Sequence, residues 1–374
     1  MKNYIVEILA ITIIMMSMSC KPETQSEVKK LEAFFSGLAS ERDPGIAVLV
    51  IKDGRRVFER GYGAAYLLTL QPIDSSTNFR LASLTKQFTA AAVMLLVRDG
   101  KIKYDDRLTD FWPEFPAYGK DITVLHLLHH TSGLPDYEDL MPPVDPRRPV
   151  EEVQVKDSDV LDLLTGTKGG KFPPGTRWDY SNSGYVLLGL IEEKASGLPF
   201  HRFLHDRIFA PLGMDGTVAY VPGLNQVSRR AFGYTREKGQ WLLKDQSPTS
   251  ATLGDGGIYS SLNDLAKWDA ALRENTLLKA DELKLAFTPV IVPDPGAGPV
   301  EPDGTPAAYG FGWFLNPWKG RARAWHYGET AGFRTAIERF LDEGVTSIVL
   351  CNRDDLEAAA LALKAAEAFL DNKD

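Results

Sequence analysis

Residues 83–97 read Ser-Leu-Thr-Lys-Gln-Phe-Thr-Ala-Ala-Ala-Val-Met-Leu-Leu-Val, with a hydroxyl and an amine three residues apart at the start of a long apolar run. The pattern predicts that Phe79–Arg98 is largely helical, and residues three apart on a helix share a face. Because the run has no polar stripe, we expect the helix to be buried. The Lys86 amine then reaches the Ser83 hydroxyl, beside the partial positive charge of a helix start.

Serine is a weak nucleophile at neutral pH and needs an adjacent base. A buried lysine can be that base, because burial disfavours its ammonium form. The pattern Ser-x-x-Lys is short, however, and Ser26-Glu27-Val28-Lys29 matches it in a polar segment that we interpret as a solvated helix. The motif together with its apolar setting therefore leaves a nucleophile and an ordinary helix as equal alternatives for Ser83.

A second candidate motif is Tyr180-Ser181-Asn182, which follows a Pro/Gly-rich loop and precedes the apolar helical pattern Tyr185–Ala195. A tyrosinate, or a tyrosine paired with lysine, can exchange protons with a leaving group, and an asparagine offers a donor and an acceptor to a substrate carbonyl. The alternative is a helix cap formed by Ser181 or Asn182. Taken alone, this motif favours the cap.

A third candidate is Trp325-His326-Tyr327-Gly328-Glu329, at the end of an expected strand. Gly328 removes a side chain where a substrate would lie against the strand. The backbone N–H of Glu329 can pair with that of Ser83 to hold a carbonyl oxygen. A histidine beside a tight turn is, on its own, more often structural.

Composition narrows the class of protein. The chain has 374 residues, of which 44% are hydrophobic, and a formal charge of -8. The length suits one large domain or two closely packed lobes, and the acidic balance argues against a nucleic-acid partner.

The N-terminus reads as a signal peptide over residues 1–20. Lys2 precedes the apolar stretch Ile8–Met16, which is too short to span a bilayer. Its end, Ser17-Met18-Ser19-Cys20, resembles a bacterial lipoprotein signal, which implies lipidation at Cys20. We therefore expect an exported protein of the periplasm or cell envelope, with membrane attachment only through this lipid anchor. Plain export with cleavage near Cys20 is the alternative. Cys351 reads as a core residue.

The mature chain, residues 21–374, reads as one α/β (α+β) domain. Strands are expected near both ends, and helices between them, so both chain ends complete one antiparallel sheet. The sheet lobe comprises 41–63 plus 307–374, and the mainly helical lobe comprises 75–267. The expected strands and closing helix are Gly45–Ile51, Val57–Gly63, Phe311–Leu315, Ala322–His326, Phe333–Leu341, Val345–Cys351 and Leu356–Leu370.

Ser83-x-x-Lys86, Tyr180-x-Asn182 and His326-x-Gly328, in this order, resemble the three motifs of the penicillin-recognising serine hydrolases (β-lactamase/transpeptidase-like). The resemblance is greatest to class C β-lactamases, D-alanyl-D-alanine carboxypeptidases, D-aminopeptidases and β-lactamase-fold esterases. Residues 127–135 and 254–261 resemble the family as well. The resemblance spans about residue 30 to 350.

This resemblance implies a role for each motif residue. Ser83 would be the acylated nucleophile, Lys86 a proton acceptor and Tyr180 a proton shuttle. The substrate would be bound by Asn182, His326, Gly328 and the N–H of Glu329. No metal or organic cofactor is implied, and the partner is a small-molecule or peptide acyl substrate.

The chain departs from the family pattern at Tyr327, where relatives often have a threonine, and at His326, where many have a lysine. Weak recognition of a substrate carboxylate favours ester or amide hydrolysis over efficient β-lactam hydrolysis. Arg334 is a nearby cation that can compensate, or an ordinary strand residue.

Two alternatives remain. One is a catalytically idle lipoprotein that binds peptidoglycan peptides or a partner in the same groove. The other, metal hydrolysis by His126, His129 and His130, is disfavoured because His129 and His130 are adjacent and would point apart on a helix.

Overall fold

The computed structural model describes residues 22–294 and 308–371, so the expected signal segment, Cys20 and residues 295–307 lie outside the described residues. The strands within the described residues are β1 Ile46–Lys52, β2 Arg55–Tyr62, β3 Ala64–Tyr66, β4 Gln71–Pro72, β5 Phe79–Arg80, β6 Val218–Ala219, β7 Tyr234–Glu237, β8 Gln240–Leu243, β9 Ile258–Ser260, β10 Arg323–Thr330, β11 Phe333–Phe340 and β12 Val345–Cys351. The α-helices there are α1 Pro22–Ser36, α2 Thr85–Arg98, α3 Leu108–Phe111, α4 Val124–Leu128, α5 Tyr137–Leu140, α6 Asp157–Thr165, α7 Asn182–Ser196, α8 Phe200–Leu204, α9 Leu262–Glu274, α10 Ala280–Ala286 and α11 Ala358–Glu367.

The main sheet has five antiparallel strands in the order β10-β11-β12-β1-β2, so both ends of the chain build it. The β1–β2 hairpin turns at Asp53 and Gly54, whose φ angles are 49° and 76°. Positive φ at both central residues matches the twist of the strands that they join. The expected fold class is confirmed.

The two faces of this sheet pack against different partners. Alternate residues of β1 separate cleanly, since Val48 and Val50 join the cluster under α1 and α11, whereas Ala47 and Leu49 join the large core under the helical lobe. This is the period-two alternation of a strand that is buried on both faces.

The middle of the chain carries helices α2 to α9 with small two- and three-stranded sheets among them. Helix α2 is buried from Thr85 through Leu96, as its unbroken apolar sequence predicts. By contrast, Ser26 and Lys29 lie exposed on α1, so the second Ser-x-x-Lys match belongs to a solvated helix face.

Phe79–Arg98 is largely helical, as predicted, but strand β5 comes first and a 3₁₀ turn at Ala82–Leu84 then leads into α2. One expected strand does not form. Phe311–Leu315 forms only isolated bridges, through Phe314. Gly312 has a φ of 77°, and a Cβ there would lie 2.8–2.9 Å from the backbone at Lys86 and Gln87. This segment therefore follows the start of α2 instead of extending the sheet.

Among the described residues, no helix has both the length and the hydropathy needed to cross a bilayer. Cys351 is fully buried in β12, as expected for a core residue.

Candidate active site

Ser83 lies at the tip of a sharp turn between β5 and α2. Ala82, just before it, has a φ of 50°, in the left-handed region that non-glycine residues rarely adopt. Hydrogen bonds to β9 hold both sides of the turn: Leu81 N donates to Ile258 O (2.8 Å), and Ile258 N donates to Thr85 Oγ1 (3.2 Å). The turn leaves Ser83 partly exposed at the N-terminal end of a buried helix.

Lys86 is fully buried and its amine has three neighbours. Nζ lies 3.1 Å from Ser83 Oγ, 2.9 Å from Asn182 Oδ1 and 2.9 Å from the backbone carbonyl oxygen of Asp255. These contacts come from three separate parts of the chain. They fix the amine beside the serine hydroxyl.

Burial lowers the pKa of Lys86 from 10.5 to about 8. The carboxylates of Asp255, Asp136 and Glu138 act in the opposite direction and limit the fall, because a negative charge favours the ammonium form. A pKa of about 8 leaves roughly a tenth of the amine neutral at pH 7. A neutral amine at this position can accept the proton of the serine hydroxyl.

Tyr180 completes the other side of the serine. Its hydroxyl is within hydrogen-bonding reach of Ser83, and the Lys86 amine lies 4.9 Å from the centre of its ring. Desolvation raises the pKa of Tyr180 despite its contact with Ser83, so the side chain is a neutral phenol at pH 7. Of the two forms of Tyr180 that can exchange protons, the neutral tyrosine paired with lysine is therefore favoured over the tyrosinate.

Ser181 caps helix α7, whereas Asn182 contacts Lys86 in the site. Ser181 is the N-cap of α7 and its Oγ accepts from Gly184 N at 3.1 Å. Asn182 is the first residue of the helix and directs its Oδ1 to Lys86. The helix-cap interpretation was therefore correct for Ser181 without excluding Asn182 from the site.

Strand β10 packs directly on the serine turn. A Cβ at Gly328 would lie 2.2 Å from the Leu81 carbonyl oxygen, and Thr335 Oγ1 donates to the same oxygen at 2.7 Å. The close approach of strand β10 and the turn thus requires this glycine, independently of the substrate clearance that we predict from the sequence. Glu329, the next residue, pairs with Arg334 at the end of the β10–β11 ladder.

His326 is buried and neutral. Its Nε2 lies 3.1 Å from the Tyr309 hydroxyl, and its Nδ1 lies 2.6 Å from the backbone carbonyl oxygen of Tyr327. Burial, with a smaller contribution from the Lys86 charge, lowers its pKa from 6.5 to about 3. His326 therefore carries no positive charge at neutral pH.

Tyr327 lies beside the aromatic residues of the site, with its ring centroid 6.1 Å from that of His326. It is half-buried and its ring stacks on those of Phe314 and Trp325, with centroids 6.0 and 5.9 Å away. The Arg334 guanidinium donates to the carbonyls of Thr330 and Phe333. These bonds hold the cation at the hairpin.

Two contributors to the site were not picked out from the sequence. Asp255 supplies the carbonyl that binds Lys86, and Thr335 ties β11 to the serine turn. The segment 254–257, rich in glycine, was a visible signal for the first. Thr335 carries no local signal, because its partner is 254 residues away in the chain.

The three histidines near residue 130 have separate environments. His126 caps α4 with Thr123, His129 lies beside the Tyr309 carbonyl, and His130 accepts from Ser181 N at 3.0 Å. Across residues 22–294 and 308–371, no group of three or more His, Cys, Asp or Glu side chains is arranged to hold a metal ion.

A five-stranded antiparallel sheet with a helical lobe, and a serine turn facing a buried lysine, define the class of serine hydrolases with the β-lactamase fold. The Beta-lactamase family model matches residues 31–370, and the chain belongs to this family.

Similar proteins include penicillin-binding and peptide-hydrolysing proteins. Penicillin-binding protein 4* of Bacillus subtilis (strain 168) is 33% identical over 361 residues, covering 92% of this chain and 76% of that protein. A D-aminopeptidase of Cereibacter sphaeroides is 30% identical over 327 residues, covering 87% of this chain but only 60% of the aminopeptidase. The structure of the octameric penicillin-binding protein homologue from Pyrococcus abyssi is similar at a TM-score of 0.78 and 30% identity, covering 90% and 76% of the two chains.

Proposed function

We propose that the protein is an exported hydrolase that cleaves an ester or amide bond through an acyl-enzyme on Ser83. The observation that carries this proposal is the 3.1 Å contact between Ser83 Oγ and the buried, pKa-lowered amine of Lys86. The expected signal segment and lipid anchor at Cys20 support the cell envelope as its location.

In the proposed reaction, neutral Lys86 accepts the Ser83 proton as Oγ attacks the substrate carbonyl. The N–H groups of Ser83 and Glu329 stabilise the oxyanion, and Asn182 binds the substrate amide. The Tyr180 phenol relays a proton from Lys86 to the leaving group, whose departure leaves the acyl group on Ser83. A water molecule then attacks the acyl-enzyme and releases the acid.

The charges around the site favour an acyl donor without a carboxylate. His326 is neutral, and the Arg334 guanidinium is held by backbone carbonyls of its own hairpin. Asp136, Glu138 and Asp255 instead place negative charge near Lys86. A substrate with a cationic amine close to the scissile bond fits these charges, and the similarity to a D-aminopeptidase supports the same class.

The test is a turnover panel of D-alanine p-nitroanilide, p-nitrophenyl acetate and a chromogenic cephalosporin, with covalent labelling by a fluorophosphonate read as intact mass. We expect turnover of the first two substrates to exceed that of the cephalosporin, and Ser83→Ala to abolish labelling. Ser26→Ala is the matched control and should label normally. If Ser83→Ala still labels, the nucleophile is misassigned. If wild type neither labels nor turns over any substrate, a catalytically idle binding protein becomes the better account.

A further inference from the structure

A cavity of about 340 Å³ lies at the far end of the main sheet from the serine turn, between α9, α10 and the β11–β12 hairpin. Thr335 of β11 touches the serine turn, and Arg339, four residues further along the strand, lines the cavity. At about 3.3 Å per residue the two positions are about 13 Å apart. The cavity is therefore separate from the site described above.

Arg339 is a largely buried cation in the lining of this cavity. Only 7% of the residue is exposed, and its guanidinium lies 5.9 Å from the Phe287 ring centre and 5.8 Å from that of Trp313. Its Nε donates to Asp269 at 2.9 Å. Within the described parts of the chain, neither Nη group has an acceptor, and neither is completely sealed from solvent.

The lining has more positive than negative charge. Arg339, Arg273 and Lys284 line the cavity, and Asp269 is the acidic residue among the lining groups. The Asp269 carboxylate is already satisfied, since it accepts from Arg339 Nε, from Arg273 at 3.1 Å and from Thr346 at 2.7 Å. Two free guanidinium N–H groups in a fixed fork match the oxygens of a carboxylate or a phosphate.

The apolar residues of the lining favour a carboxylate with an aliphatic chain over an inorganic phosphate. Leu272, Leu283 and Phe287 line the cavity with apolar surface, which an inorganic phosphate would leave unfilled. A short aliphatic chain on a carboxylate would cover it. We propose that this cavity is a second binding site, for a small monocarboxylate with an apolar tail, held by the free Nη groups of Arg339.

Calorimetric titration of the protein with hexanoate tests the proposal, with hexanol as the uncharged analogue and inorganic phosphate as the anion without a tail. We expect hexanoate to bind at least ten-fold more tightly than either. Equal affinity for hexanol would show an apolar pocket without anion recognition, and equal affinity for phosphate would show an anion site without tail selectivity. Either result overturns the proposal.

Variants locate the ligand. Arg339→Gln should weaken hexanoate binding at least ten-fold, and the exposed Lys284→Glu about three-fold, whereas Lys238→Glu in the exposed turn between β7 and β8 should leave it unchanged. Unchanged affinity in Lys284→Glu refutes the site even if Arg339→Gln fails to fold. Binding that disappears in Ser83→Ala would place hexanoate in the catalytic groove and also refute it. Because binding is measured without turnover, the result does not depend on the proposed hydrolysis.

Discussion

The pKa of Lys86 gives the sharpest test of the proposed chemistry. Lys86 must be neutral to accept the Ser83 proton, and burial lowers its pKa to about 8. The neutral fraction then rises from about a tenth at pH 7 to about nine-tenths at pH 9. The rate of fluorophosphonate labelling of Ser83 should therefore rise about ten-fold over this interval, with its inflection near pH 8.

The substitution Glu138→Gln tests whether the pKa of Lys86 sets the pH dependence of labelling. The Glu138 carboxylate raises the pKa of Lys86, so its removal should move the inflection to lower pH and speed labelling at pH 7. Glu138 is exposed on α5, and the substitution should leave the fold intact. Its neighbour Asp139 is also exposed but is not among the charges that act on Lys86, so Asp139→Asn is the matched control.

The assay is the second-order labelling rate from pH 6 to 10 at constant ionic strength, read by intact mass. A profile that is flat, or that falls with rising pH, would refute neutral Lys86 as the base. An equal shift in Glu138→Gln and Asp139→Asn would show that nonspecific surface charge sets the inflection.

Three further predictions concern single residues. Tyr180→Phe should lower kcat by about 10²–10⁴-fold with little change in melting temperature, because only the proton relay is lost; unchanged kcat would remove Tyr180 from the mechanism. Gly328→Ala should cost about 1–3 kcal/mol of stability and lower the labelling rate, since its Cβ would lie 2.2 Å from the Leu81 carbonyl oxygen; chemical denaturation and labelling measure the two effects. Glu192→Gln should stabilise the protein at pH 8 more than at pH 5 in chemical denaturation.

The burial of the Glu192 carboxyl group explains why Glu192→Gln should stabilise the protein more at pH 8 than at pH 5. Glu192 is fully buried in α7, neither carboxylate oxygen has a partner within the described residues, and burial raises its pKa well above 4.5. Above pH 4.5 the unfolded chain loses this proton while the folded protein keeps it. Stability then falls by about 1.4 kcal/mol per pH unit until the folded pKa is reached. Glutamine cannot ionise and removes this loss. An identical pH dependence in both proteins would contradict the account.

Local sequence was sufficient for the outline of the fold. Alternation and continuous apolar runs predicted β1, β2, β11 and β12, because these patterns depend on neighbouring residues. Prediction from the local pattern failed where contacts with distant segments set the backbone conformation. Only Phe79–Arg80, at the start of the largely helical segment, pair with β9 instead, and residues 311–315 follow the backbone of α2 around Gly312 and do not join the sheet.

The candidate site divides in the same way. The chemical types and order of Ser83, Lys86, Tyr180 and Asn182 were readable from the sequence, because motif spacing is a local property. Tertiary structure alone decided that the Asp255 carbonyl completes the contacts of Lys86, that His326 is neutral, and that Gly328 is fixed by contact with Leu81. Desolvation and close packing depend on which distant segments meet, and these are the forces that set the pKa values and the shape of the site.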